Sequence, residues 1–129
     1  MRYLLVVATL SALLPSHTIL VESPLEVRTD PIEEVLMTVP MPLIRVAFCE
    51  SSFRHFNSSG EVLTNENRNG SADYGLYQIN SIHLPEAEKL GIDIKSLEGN
   101  VEFALHLYNK RGLKDWSASR HCWSKLTRK

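Results

Sequence analysis

What this chain lacks narrows it first. Its charge is nearly balanced, with 14 Lys and Arg against 15 Asp and Glu, and a net charge of −1 gives no electrostatic footprint for nucleic acid. Its 5 histidines are scattered with no pair at ligand spacing, which argues against a zinc site or any other metal centre. Cysteine is scarce too, and neither of the 2 present sits in a cysteine-protease signature. The sequence holds no internal repeat and no low-complexity block. At 129 residues there is room for one domain, and no motif implies a cofactor.

What is present divides into three parts. Residues 1–21 begin with Arg2, run through an apolar stretch from Tyr3 to Leu14 and reach Pro15-Ser16, the layout of an export signal. Ser16-His17-Thr18 offers small residues at cleavage spacing. The apolar character resumes at Ile19 to Val21, so an uncleaved membrane anchor is the alternative. Either reading sends the rest of the chain out of the cytosol, to the periplasm, the cell envelope or the exterior, with this segment as its only link to a membrane. Residues 22–40 are acidic and proline-punctuated and read as a linker or loosely attached arm. Residues 41–129 are the folded unit. From Leu43 onward it carries twelve Lys and Arg against ten Asp and Glu. That mildly basic surface would tolerate an anionic polymer such as a cell wall, and the closing "SKLTRK" is an ordinary solvated terminus. A core this small often needs a staple. Cys49 and Cys122 stand near opposite ends of the unit, and in an exported protein an even count favours a disulfide; two buried free thiols are the alternative.

The segment "FCESSF" at Phe48 to Phe53 raises the chemical question. Residues three, four and seven apart share a helix face, and Glu50 falls in line with Leu43, Val46, Ala47 and Phe53. With Pro40 and Pro42 ahead of it, the pattern predicts a helix over about Leu43 to Phe53 with a carboxylate on its apolar stripe. Such a group either reaches water or an arginine at the rim, or its pKa rises until it keeps its proton near neutral pH. The second state suits a general acid.

Downstream, "RHFNSSGEVLTNENRNGSADYG" is rich in Asn, Ser and Gly. It predicts a small hairpin or irregular β-lobe around Val62-Leu63, with turns at Ser58-Ser59-Gly60 and Asn69-Gly70. "NENRNG" imitates half of a calcium loop, but its twelfth position is Leu76 instead of a glutamate, so it reads as turn chemistry. A helix near Pro85 to Leu90 should stop at Gly91. Val101, Ala104, Leu105 and Tyr108 give another its period, ending at Gly112, and a short last helix should cover Asp115 to Trp123. The expected fold class is α+β, mostly helical, with the β-lobe inserted after the Glu50 helix.

In order and spacing, "ESSF", "NGSADYGLYQINS", "NVEFALHLY" and "GLKDWSASRHCW" resemble the lysozyme-like superfamily, and most nearly the bacterial lytic transglycosylases of the SLT type. The resemblance spans Leu43 to Trp123. It implies a small lysozyme-like domain in which Glu50 is the catalytic acid, with Ser51, Tyr74, Tyr77, Gln78, Asn80 and Tyr108 as substrate-binding residues. Gly75, Leu76, Gln78 and Ile79 match the family's groove motif, with Tyr77 where a Met is common. Asn100 and Ala104 match its third motif, but the tyrosine expected seven residues after the Asn is Leu107, and Tyr108 follows. A second likeness, to animal-type lysozymes, rests on "DYG-x-x-QINS", Gly112, Trp116 and Cys122. It implies that Trp116 packs on Glu50 and raises its pKa, that Cys49 and Cys122 join two helices, and that Asp73 is a second carboxylate.

The resemblance thus implies cleavage of the β-1,4 bond between MurNAc and GlcNAc in peptidoglycan strands, with envelope or secretion machinery as a candidate partner. As a transglycosylase, Glu50 would act as acid and then as base, and the product would carry a 1,6-anhydro ring. The alternatives are a hydrolase using Glu50 and Asp73, and a glycan-binding module without chemistry.

Overall fold

The computed structural model describes residues 29–127. The expected signal or anchor over residues 1–21, and the first part of the arm, lie outside the described residues. Among the described residues no helix is long and apolar enough to cross a membrane. The architecture is α+β and mostly helical, as the sequence predicts.

Helix α1, Pro31–Leu36, lies within the stretch expected to be a linker or loose arm. Asp30 caps it, accepting a hydrogen bond from the Ile32 N–H at 2.8 Å, and proline occupies its first turn, where no backbone donor is lost. Ile32, Val35 and Leu36 pack against the core and Val39 is buried. The second half of the arm is therefore part of the domain. Its apolar residues follow a helical spacing too short to stand out among acidic neighbours.

Helix α2, Met41–Ser51, carries Glu50. Leu43, Val46 and Ala47 are buried along one face, as the stripe predicts. The helix stops two residues before the expected end. Ser52 and Phe53 take left-handed backbone angles, φ 53° and 61°, and Phe53 N–H turns back to Ala47 O at 3.4 Å. Phe53 is thereby swung off the stripe and left partly exposed. Two successive non-glycine residues in that region store strain directly after Glu50.

The β-lobe follows as three short antiparallel strands in the order β1-β2-β3: β1 Thr64–Glu66, β2 Ala72–Tyr74 and β3 Ile79–Asn80. Asn65 pairs with Asp73, and Asp73 pairs with Asn80, so Asp73 occupies the central strand. The hairpin forms later than Val62-Leu63, because the turn chemistry of Asn67 to Ser71 closes it: Gly70 N–H bonds Asn67 O at 3.0 Å, Asn67 N–H bonds Ser71 O at 2.8 Å, and Asn69 Oδ1 accepts from Ser71 N–H at 3.0 Å. Val62 makes only an isolated bridge with Phe56. The expected turn at Gly60 is present, with Gly60 N–H on Asn57 O at 3.1 Å.

Helix α3, Leu84–Leu90, ends at a left-handed Gly91, φ 69°. Helix α4, Leu97–Arg111, is capped by Ser96, whose Oγ accepts from Gly99 N–H at 3.0 Å. It buries Val101, Phe103, Ala104 and Leu107 in the centre of the domain. The expected last helix is two pieces, a 3-10 segment over Lys114–Ser119 and helix α5, Arg120–Trp123. The kink falls at Trp116, φ −107°, whose ring turns inward while the chain continues along the surface.

Cys49 on α2 and Cys122 on α5 form a disulfide with Cα atoms 5.9 Å apart. The bridge closes a loop of 73 residues, for which loop-closure entropy gives about 4 kcal/mol of stabilisation. Replacing both cysteines by serine should lower the denaturant midpoint without abolishing the folded state's helical signal. Equal midpoints for the two proteins in urea titrations would show that the bridge does not constrain the unfolded chain.

Candidate functional site

The loop from Tyr74 to Gln78 brings Gln78 to the site and is held by side chains from four directions. Gly75 has φ 72°, and a Cβ there would collide with the His55 imidazole and the Asn100 amide, so glycine is required twice over. Leu76 N–H donates to His55 Nδ1 at 3.1 Å. That bond makes Nδ1 the acceptor, so Nε2 carries the proton and donates to Lys95 O at 2.9 Å. Asn100 is fully buried. Its Oδ1 accepts from Tyr77 N–H at 2.9 Å, and its amide donates to Tyr74 O at 2.8 Å and Ile94 O at 2.7 Å. Ser51 Oγ lies 2.8 Å from Leu76 O and 3.0 Å from Ala47 O. Trp116 Nε1 donates to Tyr77 O at 2.9 Å.

These bonds settle where several expected substrate-binding residues go. Ser51 is buried and secures the loop, so its side chain is structural. Tyr77 is fully buried, its ring 6.1 Å from that of Trp116; it sits in the turn between β2 and β3, where its neighbour Leu76 is buried as well. Tyr74 packs against the core with the Lys95 ammonium 4.9 Å over its ring. None of the three lines the groove described next.

A groove of about 440 Å³ runs between the helices and the lobe. Glu50, Asp73, Gln78, Asn80 and Trp116 line it together, as the sequence leads one to expect. Leu107 lines it as well, whereas Tyr108 does not. Residue 107 follows Asn100 by two helical turns and shares its inward face, and residue 108 is rotated about 100° onward. Gln78 has φ 47°, and its amide is fixed by Gly75 O at 2.9 Å and by Asn65 Nδ2 at 2.5 Å.

The two carboxylates differ in setting. Asp73 is clasped by two amides, Asn80 Nδ2 on Oδ1 at 2.7 Å and Asn67 Nδ2 on Oδ2 at 2.9 Å. The same two amides each reach Ser71 Oγ at 3.1 Å, so the carboxylate ties the β1-β2 turn to β3. Glu50 is half-buried, and Ser119 Oγ lies 2.5 Å from its Oε1. Burial raises the Glu50 pKa above the usual carboxylate value, the Ser119 hydrogen bond works the other way, and the charge of Asp73 adds to the rise. An acid whose pKa is raised thus shares the groove with a carboxylate fixed by neutral donors.

At the other end of the groove His83 Nε2 lies 3.2 Å from Asp115 Oδ1. Arg111 holds that carboxylate with two bonds, from Nε at 2.7 Å and Nη2 at 2.5 Å. Sequence reasoning missed this cluster, the amide clasp of Asn67 and Asn80, and Ser119. The Asn-rich turn was visible as composition, but Ser119 stands 69 residues from Glu50 and gives no local signal.

Comparison with protein-family models, with curated proteins and with solved structures found no match to this chain.

Two outcomes follow from these settings. Asp73→Asn should lower the pH at which the Glu50 carboxyl titrates, followed by carbon-13 NMR with Glu50→Gln as the assignment control; an unmoved midpoint would mean that the Asp73 charge does not reach Glu50. Burial lowers the His55 pKa below its ordinary value of 6.5, ahead of the opposing Lys95 bond. A depressed histidine contributes stability that is fully present above the unfolded pKa, about 6.5, and is lost as pH falls through the folded value. The His55 ring resonances should therefore titrate at lower pH than those of a free histidine, with Nε2–H as the neutral form. A midpoint at or above that of a free histidine would contradict the assignment.

Proposed function

We propose that this domain cleaves the β-1,4 glycosidic bonds of peptidoglycan as a lytic transglycosylase, with Glu50 as acid and then base. One observation carries the reading: a half-buried glutamate with a raised pKa on the wall of a groove, opposite an aspartate whose two oxygens are occupied by structural amides. The first step needs a proton delivered to the leaving oxygen, and burial, which raises the Glu50 pKa, favours the form that supplies it. The glutamate so formed takes the proton of the sugar's own 6-hydroxyl, and the ring closes without water. One carboxylate is enough. Asp73, bonded to Asn67 and Asn80, fits a role in holding the lobe.

A hydrolase is the second reading, supported by Asp73 lining the same groove and acting electrostatically on Glu50. There Asp73 would stabilise the charge that develops on the sugar or attack it directly. The disulfide between Cys49 and Cys122 fits an oxidising, exported setting, and a location at the cell envelope follows from the proposed substrate.

Mass spectrometry of the fragments released from purified peptidoglycan separates the readings. Products lighter by one water than hydrolysis products are expected from the unaltered protein and from Asp73→Asn, with none from Glu50→Gln. Reducing ends alone, lost on Asp73→Asn, would make it a hydrolase. Binding to the polymer without cleavage from pH 4 to 8 would leave a glycan-binding module.

A further inference from the structure

Ser119 is half-buried at the junction of the 3-10 segment and α5, and it lines no part of the groove. Its hydroxyl has one hydrogen and faces two acceptors, Glu50 Oε1 at 2.5 Å and Trp116 O at 3.2 Å. A hydroxyl cannot donate fully to both. Among the described residues the hydrogen bond of Glu50 engages Oε1 alone. When Glu50 is neutral, the Trp116 carbonyl competes for the hydrogen. When Glu50 is ionised, the charged oxygen wins, because hydrogen bonds to a carboxylate are about twice as strong as those between neutral groups.

We propose that Ser119 is the positioning residue of Glu50: it holds Oε1, so that Oε2 carries the proton into the groove, and its hydrogen commits to Oε1 as that proton leaves. The proposal rests on the acid-base role given to Glu50 above. Atoms balance simply: the Oε2 proton passes to the glycosidic oxygen, and later a proton from the sugar hydroxyl returns to Oε2. The Ser119 hydrogen stays on Oγ throughout. An interaction that strengthens as charge develops accelerates the step, whereas one equally strong before and after does not.

The tie depends on the two ends of the chain meeting. Glu50 is one residue past Cys49, Ser119 is three before Cys122, and the disulfide joins α2 to α5 between them. Asp73 acts on Glu50 from β2, and Asp115 in the 3-10 segment is taken by His83 and Arg111. Glu86 engages His106 and Lys110 on α4, and Lys114, Arg120 and His121 are exposed.

The test compares the unaltered full chain with Ser119→Ala and Ser119→Thr. Loss of a donor to the ionised form raises a carboxyl pKa, so in Ser119→Ala the carbon-13 titration of Glu50 should move to higher pH. On purified peptidoglycan kcat should fall about tenfold with KM nearly unchanged, and the alkaline limb of kcat/KM should shift to higher pH. Threonine, which keeps the hydroxyl, should restore all three. An unmoved Glu50 midpoint in Ser119→Ala overturns the role of Ser119, whatever the turnover. A loss confined to KM overturns it as well. No turnover in the unaltered protein, with the midpoint shift intact, overturns the glycan-cleaving reading while supporting the bond.

Discussion

The site depends on a buried stretch of backbone that no strand or helix satisfies. From Tyr74 to Tyr77 the chain leaves the β-lobe, passes through a left-handed glycine and enters the core. Each unpaired N–H or C=O there would cost free energy comparable to a lost hydrogen bond. The domain meets this need with Ser51, His55, Asn100 and Trp116, drawn from α2, the following loop, α4 and the last segment. Buried networks of this kind are valuable only when complete. Here the buried Ser51, His55 and Asn100 converge on one loop, and the loop joins the strands that carry Asp73 and Asn80.

That arrangement gives the two walls of the groove different character. The lobe side is polar and cross-braced, with the Asp73 carboxylate and the amides of Asn67 and Asn80 in one cluster. The other side brings Leu107, Trp116 and Ala118 together with Glu50, His83 and Asp115. Burial raises the Glu50 pKa, while the Asp73 carboxylate is held in place by two amides. The backbone strain at Ser52 and Phe53 falls just after Glu50. There it ends α2 and leaves Glu50 in the last turn of that helix.

Much of the fold was legible because it depends on local chemistry. Glycines marked the ends of α3 and α4, Asn-Gly marked a turn, and the spacing of Leu43, Val46 and Ala47 marked the buried face of α2. Helix α1 escaped notice because its few apolar residues are diluted by glutamates, and only its packing on the core reveals it. Among the site residues, Glu50, Asp73, Gln78, Asn80 and Trp116 were identified and do share the groove. Ser51, Tyr74, Tyr77 and Tyr108 were assigned outward roles by motif position. Pairing demands of the buried loop claimed Ser51, core packing claimed Tyr74 and Tyr77, and helical phase kept Tyr108 off the groove.

From the sequence alone came the helices that carry Glu50 and Asn100, the glycines that end α3 and α4, and the acid that stands on an apolar face, because short-range sterics and hydrophobic period decide those matters. It also supplied the two cysteines, whose even count favoured the bond that the structure shows. Only the tertiary structure decided the partners: Asn67 and Asn80 for Asp73, Arg111 for Asp115, and Ser119 for Glu50. The physical reason is range. A hydrogen bond acts over about 3 Å, and the residues that come within that distance are chosen by the packing of whole elements, here α5 drawn onto α2 by Cys49 and Cys122.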